Sequence, residues 1–111
     1  MNLKTKLNED NVLSFIKDEI NNNKIALFMK GNKSMPMCGF SAVVINILNK
    51  LDVEYQTYNV LDNNILRETI KQFSDWPTIP QLYINGEFIG GCDIIKDMYN
   101  AGDLEKIIKP T

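Results

Sequence analysis

The chain has 111 residues, 44% of them hydrophobic, which suits a single domain over 1–111 with a modest core and leaves no room for a second. Twelve basic residues against 14 acidic ones give a formal charge of −2, which argues against a nucleic-acid partner, and no apolar run approaches the roughly 20 residues that span a membrane. There is no histidine, and the two cysteines, Cys38 and Cys92, fit neither a disulfide scaffold nor a C-x-x-C pair, so common zinc patterns and Cys–His catalysis are excluded.

The N-terminal Met1-Asn2-Leu3-Lys4-Thr5-Lys6-Leu7 has lysines but neither an apolar stretch behind them nor an Arg-rich transit character. The expected setting is a reducing interior: a bacterial cytoplasm, or an organelle matrix had a leader been removed. From Asp10 to Ile20, Val12, Leu13, Phe15, Ile16 and Ile20 recur at helical spacing, and Asn21-Asn22-Asn23 reads as the loop that ends this helix. Ile25 to Met29 is a short apolar run without polar alternation, as expected of a strand buried on both faces.

Gly31 and Pro36 break the next stretch into a loop that carries Cys38. A helix from Ser41 to Leu51 follows, burying Val43, Val44, Ile47, Leu48 and Leu51. Glu54 to Val60 has strand character, and strand, helix, strand implies a parallel pair with a right-handed crossover. Asp62 is the expected cap of a third helix running to about Phe73, with Ile65, Leu66, Ile70 and Phe73 inward.

Trp76-Pro77-Thr78-Ile79-Pro80 forbids a helix, and Pro80 is a candidate for a cis bond. Gln81-Leu82-Tyr83-Ile84 and Glu87-Phe88-Ile89 flank Asn85-Gly86, a strong hairpin signal. Helices are expected at Asp93 to Asn100 and Asp103 to Ile108. The pattern gives an α/β architecture: a mixed four-stranded sheet flanked by helices on both faces, the layout of a thioredoxin-like fold.

A lone cysteine is often just a small buried hydrophobe. Cys38, however, lies between a strand end and a helix start, where unpaired N–H groups and the positive helix end favour a thiolate, making it a candidate nucleophile or metal ligand. Lys30 could lower its pKa or bind a carboxylate, and Arg67, the only arginine, would suit an anion. Both also read as ordinary surface charge. Gly90-Gly91-Cys92-Asp93 opens another helix, with Asp93 a candidate N-cap or ligand contact and Cys92 a packed thiol.

Lys30-Gly31, Pro36-x-Cys38-Gly39-Phe40-Ser41, Trp76-Pro77-Thr78-Ile79-Pro80-Gln81 and Gly90-Gly91-Cys92-Asp93 together resemble, in order and spacing, a single-domain monothiol glutaredoxin of the C-G-F-S type. The resemblance implies a thioredoxin-like fold with Pro80 cis and a glutathione groove beside Cys38. In that groove Lys30 and Arg67 would bind the glycine carboxylate, Thr78 and Ile79, next to Pro80, would pair with the backbone, and Cys92 and Asp93 would hold the γ-glutamyl end. Ser41 stands where a dithiol glutaredoxin has its second cysteine, so a mixed disulfide on Cys38 would need a second glutathione or Cys92 to resolve it.

The resemblance further implies a homodimer in which two Cys38 thiolates and two glutathione thiolates hold one [2Fe-2S] cluster, passed from a scaffold protein to apo-protein recipients. Two other readings stand beside this carrier: a glutathione-dependent thiol–disulfide oxidoreductase acting through Cys38, and a regulatory module paired with a partner protein through a bridging cluster.

Overall fold

The computed structural model of the chain describes residues 7–110. Its elements are α1 (Val12–Asn22), β1 (Ile25–Met29), α2 (Gly39–Lys50), β2 (Gln56–Asn59), a 3-10 turn (Val60–Asp62), α3 (Asn64–Ser74), β3 (Gln81–Ile84), β4 (Glu87–Gly90), α4 (Cys92–Ala101) and α5 (Asp103–Ile108). They form the expected thioredoxin-like α/β arrangement, a mixed sheet of order β2-β1-β3-β4 with β1 and β2 parallel and the other neighbours antiparallel. The reading of the N-terminus falls on residues 1–6, outside those described, apart from the buried Leu7.

All five residues of β1 are buried because both faces of the sheet are covered. Ile25, Leu27 and Met29 point into a core shared with α2, α4 and α5, whereas Ala26 and Phe28 point into one shared with α1 and α3. Strand alternation thus feeds two separate cores from one central strand. The second core is rich in rings: Phe28 stacks on Tyr58 at 4.6 Å and meets Tyr83 edge-on at 5.7 Å.

Several expected boundaries are corrected. α1 continues through Asn21 and Asn22, whose side chains face solvent and do not oppose another turn, and Leu13 is 42% exposed, off the buried stripe. β2 keeps only Gln56–Asn59, since Val60–Asp62 turns into the 3-10 segment. Asn63, not Asp62, caps α3: its side-chain oxygen accepts the Leu66 N–H at 3.0 Å. α2 starts two residues earlier than expected, at Gly39, and buries Ile45 as well. Cys92 is already helical and Gly91 is the N-cap of α4, which makes Asp93 a first-turn acid and not the cap.

Register decides where the loops emerge. Phe28 near the end of β1 pairs with Gln81 at the start of β3, and Leu82 pairs with Gly90 at the end of β4. The segments 30–38, 75–80 and 90–92 therefore leave the sheet at the same end.

Candidate functional site

β1 hands the chain to Lys30 and Gly31. Gly31 has φ +91, and a Cβ there would lie 2.4 Å from the Met35 carbonyl oxygen and 2.5 Å from the Met37 nitrogen, so only glycine closes this turn. The Gly31 N–H donates to Asn59 Oδ1 at 2.9 Å and the Met37 N–H donates to the Lys30 carbonyl at 2.9 Å. Asn32 Oδ1 gathers the N–H of Ser34 and of Met35 from inside the loop. The chain is thereby folded back, and Cys38 returns beside Lys30.

Cys38 is the N-cap of α2, half-buried and in extended backbone. The Ser41 side chain is fully buried, and its Oγ accepts the Lys30 N–H at 3.2 Å, tying the first turn of α2 to the end of β1. The Cys38 thiol is held below its ordinary value of 9.0. The largest cause is the Ser41 backbone N–H; partial burial opposes it, while the Phe40 N–H, the Lys30 ammonium and the Ser41 hydroxyl add to the lowering. These amides face the sulfur without closing a conventional cap hydrogen bond.

Cys92, at the start of α4, moves the opposite way. Burial pushes its thiol above 9.0, and the charges of Asp93 and Cys38 add to the rise against a smaller pull from Lys96. Two thiols at two helix starts are thus shifted in opposite directions: the thiolate is favoured at Cys38 and disfavoured at Cys92, which packs against the core.

Both line one cavity of about 480 Å³. Lys30, Cys38 and Phe40 form one side, with Arg67 and Lys71 contributed by α3. The segment from Trp76 to Pro80, with the Ile79–Pro80 bond cis, makes the floor, and Gly91, Cys92, Asp93 and Ile94 close the far side. Lys30, Cys38, Arg67, Thr78, Ile79, Pro80, Cys92 and Asp93, all singled out in the sequence, therefore lie around one space. Cations stand toward α3 and β1, and an acid with a helix N-terminus stands toward α4. Such a groove suits an extended ligand with a carboxylate at one end and an ammonium-bearing group at the other.

The floor offers peptide contacts as well. Among the described residues, no hydrogen bond engages the N–H or the carbonyl of Ile79, which leaves a short unpaired edge next to Cys38.

Four residues were not assigned these roles from the sequence. Ser41 was read only as an absent cysteine, yet it anchors the thiol-bearing helix. Asn59 holds Gly31, and Lys71 joins Arg67 on the cavity wall one helical turn along. Gln81, fully buried, donates from Nε2 to the carbonyls of Trp76 at 3.0 Å and Thr78 at 3.2 Å. A polar residue opening the otherwise apolar run Gln81-Leu82-Tyr83-Ile84 was the available signal for it.

The Glutaredoxin family model matches residues 25–89 of the chain. A Rickettsia typhi protein named probable monothiol glutaredoxin 2 is 59% identical over 101 residues, spanning 91% of this chain and 91% of the relative. The solution structure of reduced poplar apo GrxS14 superposes with a TM-score of 0.80 at 42% identity, covering 89% of this chain and 91% of that one. The crystal structure of a buckwheat glutaredoxin–glutathione complex superposes with a TM-score of 0.80 at 24% identity, covering 94% and 96%, a likeness of fold.

Proposed function

The chain belongs to the glutaredoxin family, as a monothiol member, and on that premise we propose that it binds glutathione beside Cys38 and, as a homodimer, carries a [2Fe-2S] cluster between a scaffold protein and apo-protein recipients. The observation that carries this reading is the pairing of a thiolate-forming Cys38 with a buried, hydrogen-bonded serine at position 41, where a redox pair would need its second thiol. Glutathione fits the groove by charge. Lys30 and Arg67, with Lys71 beside them, would take the glycine carboxylate; the segment at Thr78 and Ile79, ahead of Pro80 and with the Ile79 backbone unpaired, would pair with the cysteinyl backbone; and the start of α4 with Cys92 and Asp93 would hold the γ-glutamyl end.

Among the described residues, no three His, Cys, Asp or Glu side chains are grouped to hold a metal. A cluster with four sulfur ligands therefore needs Cys38 supplemented from outside the chain, which two glutathione thiols and a second Cys38 would do. Exchangeable ligands make such a cluster releasable, as a carrier requires. The whole of 1–111 acts as one glutaredoxin domain in this reading. Its setting is a bacterial cytoplasm, in keeping with the Rickettsia relatives and with the absence, among the described residues, of a helix long and apolar enough to cross a membrane.

The lowered Cys38 thiol also supports a slower second chemistry, removal of glutathione from mixed disulfides: Cys38 attacks the glutathione sulfur, the mixed S–S bond breaks and the protein thiolate leaves, and a second glutathione then attacks the Cys38–glutathione disulfide, releasing glutathione disulfide and freeing Cys38. Anaerobic reconstitution with iron, sulfide and glutathione, read by visible absorption and sizing, tests the carrier reading. A coloured dimer is expected, lost in Cys38→Ser or without glutathione and retained in Cys92→Ser. A colourless monomer under all conditions would overturn it, and disulfide turnover as fast as a dithiol enzyme's would place the exchange reaction first.

A further inference from the structure

The floor of the groove is a five-residue segment with two prolines, Pro77 and Pro80, and so with few N–H groups to hold its own shape. Its start is fixed on α3, where the Trp76 N–H donates to the Lys71 carbonyl at 3.1 Å and to Ser74 Oγ at 3.2 Å. Beyond that point its polar anchorage comes from below. Gln81 Nε2 takes the Trp76 and Thr78 carbonyls together, which bracket Pro77 and lie on either side of the bend. The indole N–H of Trp76 is buried and has no acceptor among the described residues, so it adds no anchor of its own.

The amide of Gln81 is itself oriented. The Tyr83 hydroxyl donates to Gln81 Oε1 at 3.2 Å, and the Tyr83 ring is wedged among Phe28, Phe73 and Phe88 with centroids 5.7, 6.2 and 5.4 Å away. Burial holds the Tyr83 phenol protonated, its pKa pushed up to about 12, so the donor persists across the neutral range. Turning the amide over would set its oxygen against the two carbonyl oxygens of Trp76 and Thr78 and leave both without a donor. The network therefore admits one orientation. On the other side, a Cβ on Gly91 would lie 3.3 Å from the Pro80 carbonyl oxygen, so the segment is also seated closely against the start of α4.

We propose that Gln81 is a positioning residue for glutathione: held by Tyr83, it sets the height of the Thr78–Ile79 edge in the groove and so sets affinity for the tripeptide without touching it or Cys38. This rests on the reading that the groove takes glutathione. Gln81 acts on the floor, whereas the Cys38 thiol is set by α2 and Lys30. The two functions are separable.

The test measures reduced-glutathione binding to the full chain by calorimetry, for the wild type, Gln81→Leu and Tyr83→Phe, together with Cys38 alkylation against pH and emission from the single tryptophan, Trp76. The expected result is a dissociation constant raised about tenfold in Gln81→Leu and about threefold in Tyr83→Phe, with Trp76 emission shifted and the alkylation profile superimposing on that of the wild type. Should Gln81→Leu not fold, Tyr83→Phe, which keeps the ring packing, decides alone. Wild-type binding with both variants within twofold of it overturns the positioning role. So does a loss of affinity that comes with an equally altered alkylation profile, the mark of general loosening. A wild type that binds no glutathione removes the reading of the groove itself.

Discussion

At the scale of the residue, the site is a contrast between two sulfurs that composition alone would treat alike. Both open helices, and the helix field favours a thiolate at each. Cys38 gains directed N–H groups of Ser41 and Phe40 and the Lys30 charge, and these outweigh its partial burial. Cys92 is packed deeper and has Asp93 as its immediate neighbour, so burial and repulsion win. The sign for reactivity follows. At any given pH a lowered thiol keeps a larger thiolate fraction than an ordinary cysteine, and that fraction shrinks as pH falls, whereas the raised Cys92 keeps a smaller one and needs a more alkaline pH to become reactive. Iodoacetamide at pH 7 should modify Cys38 faster than Cys92 by on the order of tenfold, with peptide mapping as the readout. Lys30→Ala should move the Cys38 profile toward alkaline pH. Equal labelling of both thiols at neutral pH would contradict the assignment.

At the scale of the element, α3 carries Arg67 and Lys71 to the cavity, and its start depends on one side chain. Asn63 is buried, caps the helix through Leu66 N–H and directs its amide Nδ2 to the Leu7 carbonyl at 3.4 Å. Asn63→Ala should cost about 1–2 kcal/mol in chemical denaturation, the upper part of the usual cap range because the group is not replaced by water. A loss below about 0.3 kcal/mol would show that the cap is not what fixes the helix. This cap also marks the limit of the sequence. β1, the Asn85-Gly86 hairpin and the last helix were legible because apolar runs and turn residues act locally. The choice of Asn63 over Asp62 was not, since it depends on the 3-10 turn that uses Asp62 and on contact with Leu7, far away in the chain. The same holds for the end of α1, where exposed asparagines merely permit the extra turn, and for Gln81, whose partners come into range only after Phe28 and Gln81 pair across the sheet. The site residues were legible as four motifs, apart from Arg67, which stands outside them and is legible only as the single arginine. That they share one space follows from strand order, which no motif states.

At the scale of the whole molecule, the groove spans what the sheet separates. Its cation wall belongs to α3, packed with α1 on one face, while Cys38 and Asp93 sit at the starts of α2 and α4 on the other. A ligand reaching from Arg67 to Asp93 therefore bridges elements anchored in different cores. Such a ligand should stabilise the entire fold and not a local loop. Binding that selects the native state adds RT ln(1 + [L]/Kd), about 2.7 kcal/mol at a hundredfold excess over Kd, which for a chain of this size raises Tm by on the order of 10 °C. Thermal unfolding with reduced glutathione should show that rise. Its glycine ethyl ester should give a clearly smaller one, because Lys30, Arg67 and Lys71 would lose the carboxylate proposed to face them, and Arg67→Ala should narrow the difference between the two ligands. Equal shifts from acid and ester would move the glycine end away from α3, and no shift from either would mean that the two walls are not joined by this ligand.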